Sequence, residues 1–203
     1  MSNRCFGNGD PLYERYHDEE WGVPVSGEVA IFERLSLEGF QSGLSWITVL
    51  RKRPAFREVF GGFEPEIVAQ FGSDDIERLL KDERIIRNRA KIAATINNAQ
   101  ATLALRELRE PPPGIPERQK ELWRANEVVT LDKLFWSFRP LETKPQPATG
   151  ADIPSTSPEA IQLAKTLKKL GFKFIGPTTA YAAMQATGLV NDHPLTCSAA
   201  CVP

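Results

Sequence analysis

EVAIFERLSLEGFQSGLSWITVL, residues 28–50, carries apolar side chains at the spacing of an α-helix. The apolar positions are Ile31, Phe32, Leu35, Phe40, Leu44, Ile47 and Leu50. Gly39 and Gly43 are expected to divide the stretch into a helix, a break and a second short helix. This part of the chain therefore predicts helical structure on both sides of a glycine-bearing turn.

Helical signals continue along the chain after this stretch. Helices are expected from Pro65, from Ser73-Asp74-Asp75, over 89–108, over 131–138, from Ser157 to Gly171 and over 177–187. Loops are expected over 110–118 and 139–158, and residues 1–26 are expected to be irregular. No segment shows sustained strand alternation, so the predicted fold class is all-α.

The composition is that of an ordinary globular protein with a real core. The chain has 203 residues, of which 41% are hydrophobic and 25% are charged. No apolar run is long enough to cross a membrane, and residues 1–5 show no apolar leader, so we expect a cytoplasmic protein without a membrane partner. The net charge is −1, so any grip on nucleic acid must come from local patches rather than bulk charge.

Cysteine and histidine occur only near the two ends of the sequence. Cys5 and His17 lie near its start, and His193, Cys197 and Cys201 lie near its end. Two sulfurs and two nitrogens suit a structural, tetrahedral zinc ion, and His193 and Cys197 are spaced to face one way from a helical turn. Two buried histidines beside inert thiols are the alternative, and Cys201 is a second candidate for the ligand position assigned to Cys197.

A zinc ion at this site would join the two ends of the chain. We expect one unit over 1–203, with a helical core at about 27–140 and with segments 1–26 and 141–203 packed together through zinc. Four protein ligands close the coordination sphere, whereas a catalytic zinc keeps a position for water. A zinc hydrolase of a small substrate is therefore the less favoured alternative.

The helical stretch also carries polar groups that a binding pocket could use. Glu38 interrupts an apolar face beside Leu37 and Phe40, and Trp46 follows a Gly-Leu-Ser turn. An aromatic residue, a tyrosine and a carboxylate are what a pocket for a flat, positively charged heterocycle needs. The alternative is a packed Trp46 and a solvated Glu38.

Several short motifs occur in order between residues 4 and 197. They are RC (4–5), DPLY (10–13), YHD (16–18), EWGVP (20–24), LEG (37–39), GLSWITVL (43–50), FWSF (135–138), GFKF (171–174) and GLVNDH (188–193). Together they resemble the bacterial 3-methyladenine DNA glycosylase I family. Each motif alone is weak, but the combination is highly specific.

This resemblance implies a helix-hairpin-helix DNA glycosylase fold and assigns roles to residues. A structural zinc would be held by Cys5, His17, His193 and Cys197, in agreement with their spacing. The catalytic pocket would comprise Tyr16, Glu38 and Trp46. Substrate contacts would come from Phe6, Tyr13, Trp21 and Leu44. The family often has a tryptophan shortly after the first cysteine, where this chain has Phe6 in a loop one residue shorter.

Residues 84–91, RIIRNRAK, resemble the DNA-binding hairpin of that family. Ala90 stands where glycine is common, and Asn88 is the residue that readily accepts a positive φ. The resemblance implies DNA binding by Arg87, Asn88, Arg89 and Lys91, whose cations give a local positive patch. A solvated basic turn is the alternative. The segment 110–127 is longer than the family usually has.

The activity implied is that of a monofunctional DNA glycosylase, which hydrolyses the N-glycosidic bond of 3-methyladenine in alkylated duplex DNA. The flipped base would stack on Trp46 and Phe6 and hydrogen-bond to Glu38 and Tyr16, while Leu44 fills the gap in the duplex. We expect a monomer that does not cut the strand. The open alternatives are a non-catalytic, zinc-stapled DNA-binding protein and a relative that also removes other alkylated bases, such as 3-methylguanine.

Overall fold

The computed structural model describes residues 3–125, 127–142 and 145–199, and this part of the chain is all helical, with no strand. The helices are α1 Pro11–Glu19, α2 Glu28–Gln41, α3 Trp46–Val59, α4 Pro65–Val68, α5 Ser73–Lys81, α6 Arg89–Glu107, α7 Glu117–Arg124, α8 Leu131–Trp136, α9 Pro158–Lys169 and α10 Pro177–Ala186. Short 3-10 turns lie at Gly61–Phe63 and Gly150–Asp152. No described helix is long and apolar enough to cross a membrane.

Helix α2 is the centre of the core. It packs against α3, α6, α8 and α10, and every residue from Ile31 to Phe40 is buried. Apolar side chains therefore surround it on several sides, and a polar residue in this span is withdrawn from water. Glu38 is 5% exposed for this reason.

The turn after α2 is set by a single glycine. Gly39 lies inside α2, so the predicted break at that position is wrong, whereas Gly43 with φ of 82° lies in the turn after Gln41. A left-handed φ at this position strongly favours glycine. The turn exposes Leu44, which is 42% exposed, before α3 begins at Trp46.

The prediction that residues 1–26 are irregular is wrong, because α1 occupies the middle of this segment. Asp10 caps the helix by accepting hydrogen bonds from the backbone N–H groups of Leu12 (3.1 Å) and Tyr13 (3.2 Å), and Pro11 takes the first helical position. Asp followed by Pro is a recognised start signal. The helix is mostly polar and buries only Tyr16 and His17, so its apolar periodicity is weak.

Helix α7 also lies where no helix was predicted. It follows Pro116 and buries one side, on which Trp123 is 7% exposed and Gln119 is 3% exposed. Gln119 Nε2 donates to the carbonyl of Ser137 at 2.8 Å, which fastens α7 to the end of α8. Helices α6, α8, α9 and α10 lie within a residue or two of their predicted spans.

The C-terminal segment returns to the N-terminal segment. The backbone N–H of Ser198 donates to the carbonyl of Asn3 (2.9 Å), and that of Val25 donates to the carbonyl of Thr187 (3.0 Å). At Gly188 a Cβ would lie 2.5 Å from the backbone of Val23 and Pro24, so only glycine permits this approach. The two ends of the described chain are thus held side by side.

Candidate functional site

The four predicted metal ligands meet in one cluster. Cys5 Sγ lies 3.1 Å from His17 Nε2 and 3.7 Å from His193 Nδ1, and Cys197 Sγ lies 3.3 and 3.4 Å from the same nitrogens. All four ligand atoms lie within 4.8 Å of one another. Two sulfurs and two nitrogens at these separations suit one tetrahedral ion.

The outer ring nitrogens of both histidines are already engaged. His17 Nδ1 lies 2.8 Å from Asp18 Oδ1, and His193 Nε2 lies 3.0 Å from the carbonyl oxygen of Trp21. Donation of N–H to these oxygens leaves the inner nitrogens free to bind a cation, which is the usual surrounding of a metal-bound histidine. Arg4 in turn holds the Asp18 carboxylate with hydrogen bonds of 2.7–2.9 Å. The residues present therefore fit a metal ion.

The spacing of His193 and Cys197 predicted that both ligands lie on a helical turn, and this prediction is wrong. His193 lies outside the helices, and a turn closed by the N–H of Cys197 and the carbonyl of Pro194 (2.8 Å) brings Cys197 back towards it. Cys201, the predicted substitute ligand, lies outside the described residues.

Aromatic rings connect the metal cluster to the interior. Phe6 lies 4.7 Å from the ring centroid of His17, 5.0 Å from that of Tyr13 and 5.1 Å from that of Trp21. Trp21 also packs edge-on against His193 at 4.6 Å. Because each of these rings touches a metal-cluster residue or Phe6, the cluster fixes the predicted substrate contacts Phe6, Tyr13 and Trp21 in one wall.

Tyr16, Glu38 and Trp46 form a buried polar group beside this wall. The rings of Tyr16 and Trp46 lie 5.3 Å apart, and the two residues are 2% and 8% exposed. The indole Nε1 of Trp46 is buried and finds no hydrogen-bond partner in the described chain. A buried N–H without an acceptor is costly and is usually reserved for a ligand or water.

Glu38 is the most perturbed carboxyl group of the site. Burial raises its pKa to about 8, and the nearby Arg34 guanidinium partly opposes this rise. Burial, and next the Glu38 charge, raise the pKa of Tyr13 and that of Tyr16. A carboxyl group in apolar surroundings favours its protonated form until a nearby cation offsets the free-energy cost of ionising it. Aromatic faces, a free indole N–H and such a carboxyl group suit a flat cationic ring.

A charged cluster behind the pocket was not predicted from the sequence. Glu20 accepts two hydrogen bonds from Arg53 (2.6 and 2.7 Å) and one from Arg34 (2.7 Å). Although burial opposes the change, these bonds lower the pKa of Glu20 to about 2. Arg34 lies one helical turn before Glu38 on α2. Two charged residues at i,i+4 spacing in an otherwise apolar helix were the sequence signal from which buried charge could have been predicted.

The hairpin residues divide into exposed and buried ones. The Arg87 and Arg89 side chains are about half exposed and make outer ion pairs with Glu83 (3.4 Å) and Glu77 (2.7 Å). Asn88 caps α6 by accepting a hydrogen bond from the backbone N–H of Lys91 (3.1 Å). Its φ is −124°, so the expected left-handed conformation is absent there.

Lys91 does not lie on the surface where the sequence placed it. It is 9% exposed, and its Nζ donates to the carbonyl oxygens of Phe40 (2.9 Å) and Ser42 (2.6 Å). The ammonium is drawn inward because the last carbonyls of a helix lack partners within the helix. We therefore remove Lys91 from the expected DNA-contact set, which leaves Arg87, Asn88 and Arg89.

Comparison with known proteins gives consistent matches over nearly the whole chain. The methyladenine glycosylase family model matches residues 6–111 and 119–200, and the gap runs from the proline-rich segment before α7 into the first two residues of that helix. DNA-3-methyladenine glycosylase 1 of Escherichia coli (strain K12) is 44% identical over 191 residues, covering 93% of this chain and 91% of that protein.

Two solved structures share the architecture. 3-Methyladenine DNA glycosylase I matches with a TM-score of 0.82 and 43% identity, covering 96% of this chain and 98% of the other. A tyrosine-to-phenylalanine variant of 3-methyladenine DNA glycosylase I in complex with 3-methyladenine matches with a TM-score of 0.80 and 35% identity, covering 97% and 96%. The predicted all-α glycosylase architecture is confirmed by these matches.

Proposed function

Because the chain belongs to the methyladenine glycosylase family, we propose that it hydrolyses the N-glycosidic bond of 3-methyladenine in alkylated duplex DNA. One observation carries this proposal beyond the family. The buried Glu38 carboxyl group lies with the Tyr16 and Trp46 rings, and the Trp46 indole N–H has no hydrogen-bond partner among the residues that the structure describes. This arrangement can hold a flat cationic base by stacking, hydrogen bonding and charge.

Hydrolysis of this glycosidic bond needs little catalytic assistance from the protein beyond recognition of the base. A base methylated on a ring nitrogen carries positive charge while attached to the sugar, so it is already a good leaving group. Water attacks the sugar carbon C1′, the bond to the base breaks, and its electron pair leaves with the base. The water proton passes to solvent. The ionised Glu38 carboxylate favours the cationic lesion over normal, neutral bases.

No strand cleavage is expected in this reaction. Strand cleavage by a glycosylase needs an amine nucleophile, and Lys91, the lysine beside the turn after α2, already donates to two carbonyl oxygens. A protonated amine that is occupied in this way does not attack a sugar. The products are therefore free base and an abasic site. Since one chain supplies the whole pocket and metal cluster, we propose that the protein acts as a monomer.

Cys5, His17, His193 and Cys197 would hold a structural zinc ion. When bound, the ion supplies no chemistry to the reaction, because four protein ligands leave no position for water. Its role is to clamp the wall of Phe6, Trp21 and Tyr13 against the base pocket. Tyr16 immediately precedes the ligand His17 on α1, so the pocket and the metal share one helix.

Base release tests the function directly. Methylated duplex DNA is incubated with the protein, and the released bases are separated by chromatography, with the Glu38→Ala variant alongside. We expect 3-methyladenine in the free fraction while 7-methylguanine stays in the DNA. We expect the Glu38→Ala variant to release much less 3-methyladenine than the wild-type protein. DNA binding by the wild-type protein without release of any base would instead support a non-catalytic DNA-binding protein.

Leu44 is proposed to fill the space that the flipped nucleotide leaves. Its apolar side chain lies in the turn between α2 and α3 and is 42% exposed. Phe40, four residues earlier in α2, is fully buried. Leu44→Gly is expected to lower single-turnover excision at least tenfold, because extrusion of a base costs a few kcal/mol. Calorimetric binding of free 3-methyladenine should stay unchanged. Equal excision by the variant and the wild type would exclude this role.

Arg87 and Arg89 are proposed to contact the phosphate backbone. Arg87→Gln and Arg89→Gln are each expected to weaken binding to undamaged duplex DNA and to reduce the slope of log affinity against log salt by about 1. Titration of a labelled duplex at several salt concentrations measures this slope. Lys165→Gln, which removes an exposed cation on α9, is the matched control. Unchanged slopes would place the phosphate contacts elsewhere.

A further inference from the structure

Lys91 connects the two segments for which the proposed function requires DNA contact. Its backbone N–H bonds to Asn88, the cap of the hairpin helix α6, at 3.1 Å. Its side chain reaches in the opposite direction, to the carbonyl oxygens of Phe40 at 2.9 Å and Ser42 at 2.6 Å. One residue therefore ties the hairpin, residues 84–91, to the turn of residues 42–45 that presents Leu44.

The end of α2 has a particular need for such a cation. The last carbonyls of a helix have no partners within the helix, and their partial negative charge attracts an ammonium group. Ser42 has left the helix, with φ of −45° and ψ of 116°, and the N–H of Leu44 folds back to the carbonyl of Gln41 at 2.6 Å. The Lys91 ammonium thus bonds one carbonyl inside α2 and one in the turn.

The burial of Lys91 argues against a direct contact between its side chain and DNA. Lys91 is 9% exposed, whereas the side chains of Arg87 and Arg89 are 50% and 60% exposed. Burial, which disfavours the charged form, lowers the pKa of Lys91. Two carbonyl acceptors offset that cost, so the charge is retained here for a structural purpose rather than for a phosphate.

We propose that Lys91 is a positioning residue that fixes the Leu44 turn relative to the hairpin. When the hairpin engages the backbone of the duplex, the fixed distance would set where Leu44 enters the base stack. Without the bond to Ser42, the exposed glycine-bearing turn has to be ordered during insertion, at a cost in conformational entropy. This inference rests on the proposed function, since it concerns the step before base excision.

Lys91→Met is the sharpest test, because methionine keeps most of the buried apolar stem and removes the donor. We expect single-turnover excision from methylated duplex DNA to fall at least tenfold. Binding of free 3-methyladenine and of undamaged duplex DNA should each stay within about twofold, because the pocket and the exposed arginines are intact. Lys91→Arg, which retains donors, should recover part of the excision rate.

Arg87→Gln is the matched control and should give the reverse pattern, with weaker binding to undamaged DNA. Three results would overturn the positioning role. Unchanged excision in Lys91→Met would show that the tie is dispensable. A reduced salt slope would make Lys91 a phosphate contact. A parallel fall in free-base binding, excision and thermal stability would show only a general structural role. Absence of base release by the wild-type protein would instead refute the proposed function itself.

Discussion

Glu38→Gln is expected to lower excision of 3-methyladenine by about 10²–10³-fold, which corresponds to about 3–4 kcal/mol and lies in the range typical of a buried ion pair that loses one partner. Glutamine fills the same space and still offers an oxygen acceptor. It cannot supply the negative charge that distinguishes a cationic lesion from a neutral base. The loss should therefore appear both in free-base binding at a pH where the base is cationic and in single-turnover excision.

The same substitution should stabilise the folded protein at neutral and alkaline pH. In the folded chain burial holds the pKa of Glu38 at about 8, whereas its ordinary value is 4.5. Since the folded state holds this proton more tightly, the wild-type protein loses stability as the pH rises from about 4.5 through about 8. Glutamine does not ionise, so the gain should be small near pH 4.5 and reach a few kcal/mol above pH 8.

Thermal unfolding between pH 5 and pH 9 measures this difference. Glu33→Gln is the matched control, because Glu33 lies on the same helix and its carboxylate accepts hydrogen bonds from Arg57 at 2.9 and 3.1 Å. That variant loses an ion pair, so it should gain no stability. Full excision by Glu38→Gln, or a stability difference independent of pH, would contradict the role given to this carboxyl group.

Cys197→Ser is expected to remove the metal and to lower the melting temperature by about 10–20 °C. Structural zinc sites contribute about 10–16 kcal/mol of binding free energy, and loss of several kcal/mol shifts a chain of this size by about 2–4 °C per kcal/mol. Excision should fall with it, because His193 then loses its place against the ring of Trp21. Treatment of the wild-type protein with a strong chelator should reproduce both effects.

Elemental analysis for zinc and thermal unfolding test this prediction together. Cys201→Ser is the control, since Cys201 is the other C-terminal thiol and the cluster is complete without it. That variant should keep its zinc and its melting temperature. If metal-free wild-type protein melts at the same temperature as the metal-bound form, the clamp contributes nothing to the fold.

Local signals explain most of what the sequence could predict. Ser157 before Pro158 marks the start of α9, and Gly43 marks the turn after α2, because each acts on its own backbone. The metal cluster was also predictable, since cysteine and histidine are scarce and occur only near the ends. Helix α1 was missed because its polar composition outweighed the cap at Asp10.

Side-chain direction and distant charge pairs could not be predicted in this way. Lys91 follows two arginine-bearing positions and has the same charge, yet it alone turns inward. The reason is the end of α2, about 50 residues away in sequence. Glu20 likewise meets Arg34 and Arg53 only because α1, α2 and α3 pack together. Such contacts form only in the packed fold, so no local sequence pattern predicts them.

The order of synthesis gives the metal cluster a further consequence. Cys5 and His193 are separated by 188 positions, so His193 and Cys197 are synthesised only after all ten described helices. Until they emerge, the nascent chain can bury α2 and most of its core but cannot hold Phe6 and Trp21 in place. A truncated or stalled translation product would therefore lack an assembled base pocket. Base-excising activity would therefore arise only in chains that already include His193 and Cys197.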